Sequence, residues 1–172
     1  LMDEEAEKIE PCCEGLTYLP YLMGERTPHL DPYARSVFFG LTAKHTKAHM
    51  IRAIMEGVVF SLKDCLEIIK EMGVTISQVR ASGGGGKSPL WRQMQADVFG
   101  CDVVTTNSSE GPALGAAILA GVGAGVFGSV PEACEAIIKV QDTQKANCGI
   151  YDKNYDKYKR IYVNLKELFK EV

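Results

Sequence analysis

A chain of 172 residues, 46% apolar and 24% charged, is long enough to bury a core and has the balance of an ordinary globular domain. Its formal charge is −3, and the basic residues are scattered apart from a mild cluster at Lys153, Lys157, Lys159 and Arg160, so nothing in the charge pattern invites nucleic acid or an anionic membrane surface. No apolar run is long enough to span a bilayer, and the six cysteines lack the C-x-x-C spacing of zinc or redox sites, which favours reduced thiols in a cytoplasmic protein.

The acidic stretch from Leu1 to Glu14 lacks the basic and apolar regions of a signal peptide, and Leu1 to Ile9 reads as the tail of a helix that begins upstream. Leu16 to Leu22 and Ser36 to Leu41 are short strand candidates separated by a polar turn region, Gly24 to Pro32. From Thr46 to Met72, Ile51, Ile54, Met55, Val58, Val59, Leu62, Cys65, Leu66 and Ile69 recur at three- and four-residue steps, which predicts a long helix with one broad buried stripe. Gly73 ends it. Val79 to Ala81 is a short strand leading into Ser82-Gly83-Gly84-Gly85-Gly86-Lys87-Ser88. Ser88 then caps a helix with Pro89 at its first position, running to about Phe99. Val103 to Thr106 is a strand, Ala113 to Ala120 a small-residue helix, and Ser129-Val130-Pro131-Glu132 carries a capping-box pattern. Tyr151, Tyr155, Tyr158, Tyr162, Leu165 and Phe169 form the stripe of an amphipathic C-terminal helix laid on the sheet. Strands alternating with helices make the fold class α/β.

Four successive glycines cost roughly 0.5–1 kcal/mol each relative to alanine in a regular element, so the run belongs where backbone must approach something closely. Between a strand and a capped helix it gathers free N–H groups and a helix N-terminus, an arrangement suited to phosphate or ribose oxygens. A tight turn without a ligand is the plainer alternative. A second alternative is a P-loop, because Ala81 to Ser88 meets its relaxed pattern, with Lys87 on the β/γ-phosphates and Ser88 on Mg²⁺. Three features count against it. The motif arrives near mid-chain, the strand after it ends in Asn107 rather than an aspartate, and Pro89 makes Ser88 a cap.

Several ordered motifs resemble those of the FGGY carbohydrate kinases. Ser36-Val37-Phe38-Phe39-Gly40-Leu41, seven residues, then His49 to Glu56 is similar to that family's C-terminal signature. Gly83 to Gln93 resembles its adenine-nucleotide loop, and Ala96 to Gly100 and Glu110 to Ala117 continue in register. Pro20 to Pro28 resembles the xylulokinase branch. The resemblance runs from about Gly15 to Gly123.

The resemblance implies an actin-like, ribonuclease H-like ATPase domain, a mixed sheet with flanking helices present here as an incomplete copy. Residues 1–172 would be the C-terminal nucleotide-binding domain, with the N-terminal sugar-binding domain absent. It implies ATP and Mg²⁺ as cofactors, the metal ligands mostly outside this chain, and a ketopentose, D-xylulose, as the sugar, with another FGGY sugar or polyol kinase, or a non-catalytic nucleotide-binding module, as the alternatives. Gly83, Gly84 and Gly85 would approach the phosphate and ribose side of the nucleotide, and Ser88 stands where the family often has an adenine-contacting asparagine. No catalytic residue is assigned, since the family's base is an aspartate in the missing part. This chain alone is therefore expected to be inactive. Trp91 reads either as core or as a flank of the nucleotide, and Lys87 as near phosphate or facing solvent. His49 and Glu56 are expected to orient backbone or face solvent, and Glu25 and Arg26 to pair across a turn. Partners are ATP and a small sugar, without nucleic acid or membrane, and a homodimer is left open.

Overall fold

In the computed structural model, which describes residues 2–108 and 111–172, the acidic opening segment forms a short helix, α1 (Met2–Glu7). Glu110, which opens one of the family-like motifs, lies outside the described residues, as does Leu1. The chain then passes through Cys12, Cys13 and Glu14, all at positive φ, before Gly15. Left-handed backbone is disfavoured for residues with a Cβ by about 1 kcal/mol or more each, so something must hold it. Glu56 does so: its carboxylate accepts from the Cys12 amide at 3.0 Å and from the Cys13 thiol at 3.6 Å.

Two three-residue strands, β1 (Thr17–Leu19) and β2 (Val37–Phe39), pair antiparallel with Thr17 opposite Phe39. Both are shorter than their apolar runs, because Pro20 has no N–H to donate and Gly40 turns away at φ 86°. In the turn between them, Glu25 accepts from the Thr27 amide at 3.1 Å and from the Ser61 hydroxyl at 3.2 Å. The expected partnership with Arg26 is replaced by these two among the described residues.

The long helix α2 (Lys47–Glu71) crosses β1 closely, and Gly57 makes that crossing possible. A Cβ there would lie 2.3 Å from the Tyr18 carbonyl oxygen, inside any tolerable contact. Thr46 caps the helix, and its amide donates to His49 Nδ1 at 3.2 Å. His49 thus orients backbone, as does Glu56. Arg52 and Glu56 form a buried ion pair at 2.9 Å, with Arg52 also donating to the Ala6 carbonyl and to the Tyr151 hydroxyl. This network joins α1, α2 and the region before the last helix. The apolar stripe of α2 is only partly covered: Ile54, Leu62 and Ile69 are exposed.

A mixed sheet follows in the order β3-β4-β5, built from β3 (Gln78–Arg80), β4 (Asp102–Thr106) and β5 (Val140–Gln144), with α3 (Pro89–Phe99) connecting the first two. β3 and β4 run parallel, and β5 returns antiparallel along β4. The polar sequence Val140-Gln141-Asp142-Thr143-Gln144 gives no apolar alternation, because this strand is an exposed edge. Between β4 and β5 lie α4 (Gly111–Gly123) and α5 (Val130–Ile137). Ser129 caps α5 by accepting from the Glu132 amide, while Glu132 reaches back to the Gly128 amide, one residue beyond the expected capping box.

The last helix, α6 (Asp152–Leu165), carries the tyrosine stripe, and Phe169 follows in a 3₁₀ turn. Instead of lying on the three-stranded sheet, it packs chiefly on β1 and α2. Tyr158 and Tyr21 share a 2.6 Å hydrogen bond in the core, and Phe60 of α2 meets Tyr151, Tyr155 and Tyr158. The stripe is core. All six cysteines are free, and burial followed by the nearby Glu56 charge pushes the Cys12 thiol up to about 11, which suits an inert reduced thiol.

Candidate functional site

β3 delivers the chain to the glycine run with a last ladder bond, Ala81 N–H to the Val104 carbonyl at 2.8 Å. Beyond it the four glycines divide into two pairs. Gly83 is left-handed at φ 68°, which excuses a glycine by backbone conformation alone. Gly84 has no such excuse, since it is right-handed at φ −61°, ψ −44°. A Cβ at either position would meet nothing within 4 Å. Among the described residues, neither amide donates to an acceptor of the protein.

Gly85 and Gly86 are glycines for the protein's own sake. A Cβ on Gly85 would come within 3.3 Å of the Trp91 ring, and one on Gly86 within 3.1 Å of the Ala81 backbone. Gly85–Lys87 form a single 3₁₀ turn, closed by Lys87 N–H to the Gly84 carbonyl at 3.1 Å. Ser88 then leaves the turn extended and caps α3, its Oγ accepting from the Trp91 amide at 3.1 Å. The four residues singled out in the sequence, Gly83, Gly84, Gly85 and Ser88, therefore share one short loop at the N-terminus of α3. Of these, Gly83 and Gly84 face outward, Gly85 packs on Trp91, and Ser88 has committed an oxygen lone pair to its own helix.

The loop borders a cavity of about 380 Å³ reached by Val58, Leu62 and Leu66 of α2 and by Ser82, Gly85 and Trp91. Trp91 is half-buried, and its Nε1–H is buried without a partner among the described residues. It belongs to core and cavity wall together. A second cavity of about 370 Å³ lies among Ser82, Thr106, Leu114, Gly115 and Cys134. Lys87 is exposed on the outer side of the turn. A P-loop would wrap an anion with the lysine and following serine turned inward. Here the lysine faces solvent, the serine is a cap and the turn is 3₁₀, so that alternative loses its geometry.

Asp97 and Asp102, the acids nearest α3, have structural work. Asp97 accepts from Gln93 Nε2 at 2.7 Å and from the Asn147 amide at 2.8 Å, and Asp102 pairs with Lys145 at 3.0 Å. Among the described residues no three His, Cys, Asp or Glu side chains gather in a way that could hold a metal ion. One participant escaped the sequence reading: Arg92, buried in α3, whose Nη1 donates to the Gly86 carbonyl at 2.6 Å and whose Nη2 meets Asp142 of β5. An arginine four residues after a helix cap was the available signal, but its partner lay on a strand the pattern did not reveal.

Residues 1–124 match the C-terminal domain of the FGGY family of carbohydrate kinases. The xylulose kinase of Bacillus subtilis (strain 168) is 42% identical over 170 residues, covering 94% of this chain and 33% of that protein. The gluconokinase of the same strain is 37% identical over 166 residues, covering 95% and 32%. Among solved structures, the gluconate kinase of Lactobacillus acidophilus superposes with a TM-score of 0.91 at 29% identity, over 99% of this chain and 35% of that one. The chain thus spans about a third of the length of the relatives it matches.

Proposed function

This chain belongs to the FGGY family of carbohydrate kinases, through their C-terminal domain, and from that premise we propose that the protein it forms part of transfers the γ-phosphoryl group of ATP to a ketopentose, D-xylulose at its 5-hydroxyl. Residues 1–172 are the nucleotide-binding domain in this reading, and the sugar-binding domain lies in the length the relatives possess in addition. The observation that carries it is Gly84: an unstrained glycine with open space where a Cβ would stand, and with an amide that no acceptor takes among the described residues, suits close approach by a ligand. Gly83 and Gly84 offer two backbone donors to the ribose or phosphate oxygens. Gly85 keeps Trp91 close beneath them, and the N-terminus of α3 adds its partial positive charge. Ser88 retains its O–H as a donor toward adenine while its lone pair caps the helix.

Phosphoryl transfer is mostly positioning and charge stabilisation, so a nucleotide wall of fixed backbone donors is a substantive share of it. Mg²⁺ would supply charge neutralisation on the phosphates when bound. In this reading most of its ligands, the base that accepts the sugar proton and the sugar contacts lie outside this chain. Six free cysteines and a reaction that consumes ATP suit the cytoplasm.

A second reading has its own support: the B. subtilis gluconokinase is nearly as similar as the xylulose kinase, which favours a sugar acid as the alternative acceptor. Kinase assays of the full-length protein with D-xylulose, other ketopentoses and gluconate separate the two. Turnover of gluconate with none of any ketopentose would move the assignment.

A further inference from the structure

Free amides are useful to a ligand only if the loop that carries them holds still, and glycine peptides flip readily because both signs of φ are open to them. Chain neighbours aside, no atom among the described residues lies within 4 Å of where a Cβ on Gly83 or Gly84 would stand, so no side chain packs over them to restrain them. The restraint comes at the ends of the loop. At one end, the Ala81 amide is tied to β4. At the other, the Gly86 carbonyl receives Arg92 Nη1 at 2.6 Å, and Gly86 itself is pressed against the Ala81 backbone. Fixing that carbonyl fixes the 86–87 peptide plane, and with it the Lys87 N–H that closes on the Gly84 carbonyl.

Arg92 is only 8% exposed, and its amide is itself bonded to the Ser88 carbonyl at 3.0 Å, so the side chain starts from a rigid turn of α3. Its second nitrogen, Nη2, is held by Asp142 of β5. Asp142 is in turn set by β5, its Oδ1 accepting from the Thr143 amide at 2.8 Å and its Oδ2 from Gln144 Nε2 at 3.3 Å. One planar guanidinium therefore ties the glycine loop, the helix after it and the edge strand together. A lysine, with one ammonium group, lacks the fork that spans a carbonyl and a carboxylate.

We propose that Arg92 and Asp142 are a positioning pair that holds the backbone donors of the 83–86 loop in place for an adenine nucleotide. The inference rests on the reading of this loop as the nucleotide wall, and goes further by giving the polar edge strand β5 a part in affinity. The test uses the full-length protein and its variants Arg92→Gln, Arg92→Lys and Asp142→Asn. ADP binding is measured by calorimetry, alongside KM for ATP, KM for sugar, kcat and thermal midpoint. In Arg92→Gln the ADP Kd and the ATP KM should rise about tenfold, the equivalent of one charge-assisted hydrogen bond. Sugar KM and kcat at saturating ATP should stay near wild type. Asp142→Asn should move the same two constants less far, and Arg92→Lys should not restore them. Folded variants that lower the thermal midpoint while leaving ADP affinity unchanged would overturn the pair's role. Should Arg92→Gln fail to fold, unchanged ADP affinity in Asp142→Asn overturns it equally. A wild-type protein that binds ADP but phosphorylates no sugar defeats the kinase reading instead, and the affinity comparison among variants still decides the positioning role.

Discussion

Replacing Gly84 by alanine separates a glycine kept for folding from one kept for a ligand. At φ −61°, ψ −44° alanine fits without strain, and its methyl would meet nothing within 4 Å. Removing a glycine also narrows the unfolded ensemble, which at a compatible site stabilises by about 0.4–1 kcal/mol. Taken alone, the chain should therefore gain stability from Gly84→Ala. If a nucleotide approaches this backbone closely, the methyl stands in its path, and forcing an extra carbon into a filled contact costs about 1–3 kcal/mol. That corresponds to roughly five- to 150-fold weaker binding. Urea unfolding and ADP calorimetry on the full-length protein read the two effects separately. Equal or higher stability with weakened ADP binding is the expected result. Unchanged ADP affinity in a stable variant would show that nothing comes near Gly84, and the placement of the nucleotide on this loop would fall.

Gly57→Ala should behave in the opposite way, because its methyl would lie 2.3 Å from the Tyr18 carbonyl and lift α2 off β1. A loss of about 1–3 kcal/mol in urea unfolding is expected despite the better helix propensity of alanine, with ADP affinity kept in the folded fraction. Lys87→Ala should change ADP affinity little, since the side chain is exposed on the outer side of the turn, and near-total loss of binding would revive the P-loop alternative. Asp64 gives a pH prediction. Burial raises its carboxyl pKa, against the opposing hydrogen bond from the Tyr155 hydroxyl at 2.5 Å. A carboxyl whose folded pKa is raised favours folding below its unfolded pKa and loses that contribution as pH climbs through the folded value. Asp64→Asn, which keeps an acceptor for Tyr155, should accordingly gain stability relative to wild type as pH rises from about 4 toward neutrality. Parallel stability profiles for the two proteins would contradict this.

The parts of the fold that could be read in advance are those where one local signal and the tertiary environment agree. The long helix from about Thr46, the Ser88 cap, the helix between Pro89 and Phe99 and the tyrosine stripe all carry their own period or terminus chemistry, and these elements form, although the stripe packs on β1 and α2 rather than on the three-stranded sheet. β5 could not be read, because an exposed edge strand of polar residues is specified by its partner β4 and not by its own pattern. The same gap concealed the Arg92–Asp142 link, whose two ends are fifty residues apart. Glu56 was recognisable as part of a signature, but its work of holding Cys12 and Cys13, two of three successive left-handed residues, depends on a loop conformation that no spacing rule reveals. The glycine run was conspicuous from the start. Which of its members serve the protein and which face outward required the neighbours around each Cβ.

The restraints on the loop and the surfaces around it differ in a way that bears on how affinity is shared. Everything that shapes the loop, namely the Ala81 ladder bond, the Ser88 cap, the Gly86 contact and Arg92, comes from within residues 81–142. The faces that would enclose a nucleotide are less complete. β3 has no strand on its outer side among the described residues, and Leu62 of α2 and Leu119 of α4 remain 47% and 64% exposed. Apolar helix faces beside an open sheet edge invite association unless further structure covers them. Relatives three times as long have the length to supply that cover. In the proposed reading the loop's donor geometry is a property of this chain, whereas burial of a purine would depend on a second wall. On that reading, mutations in the loop should weaken nucleotide binding and leave the sugar KM unchanged, and loss of a second wall should weaken every nucleotide alike.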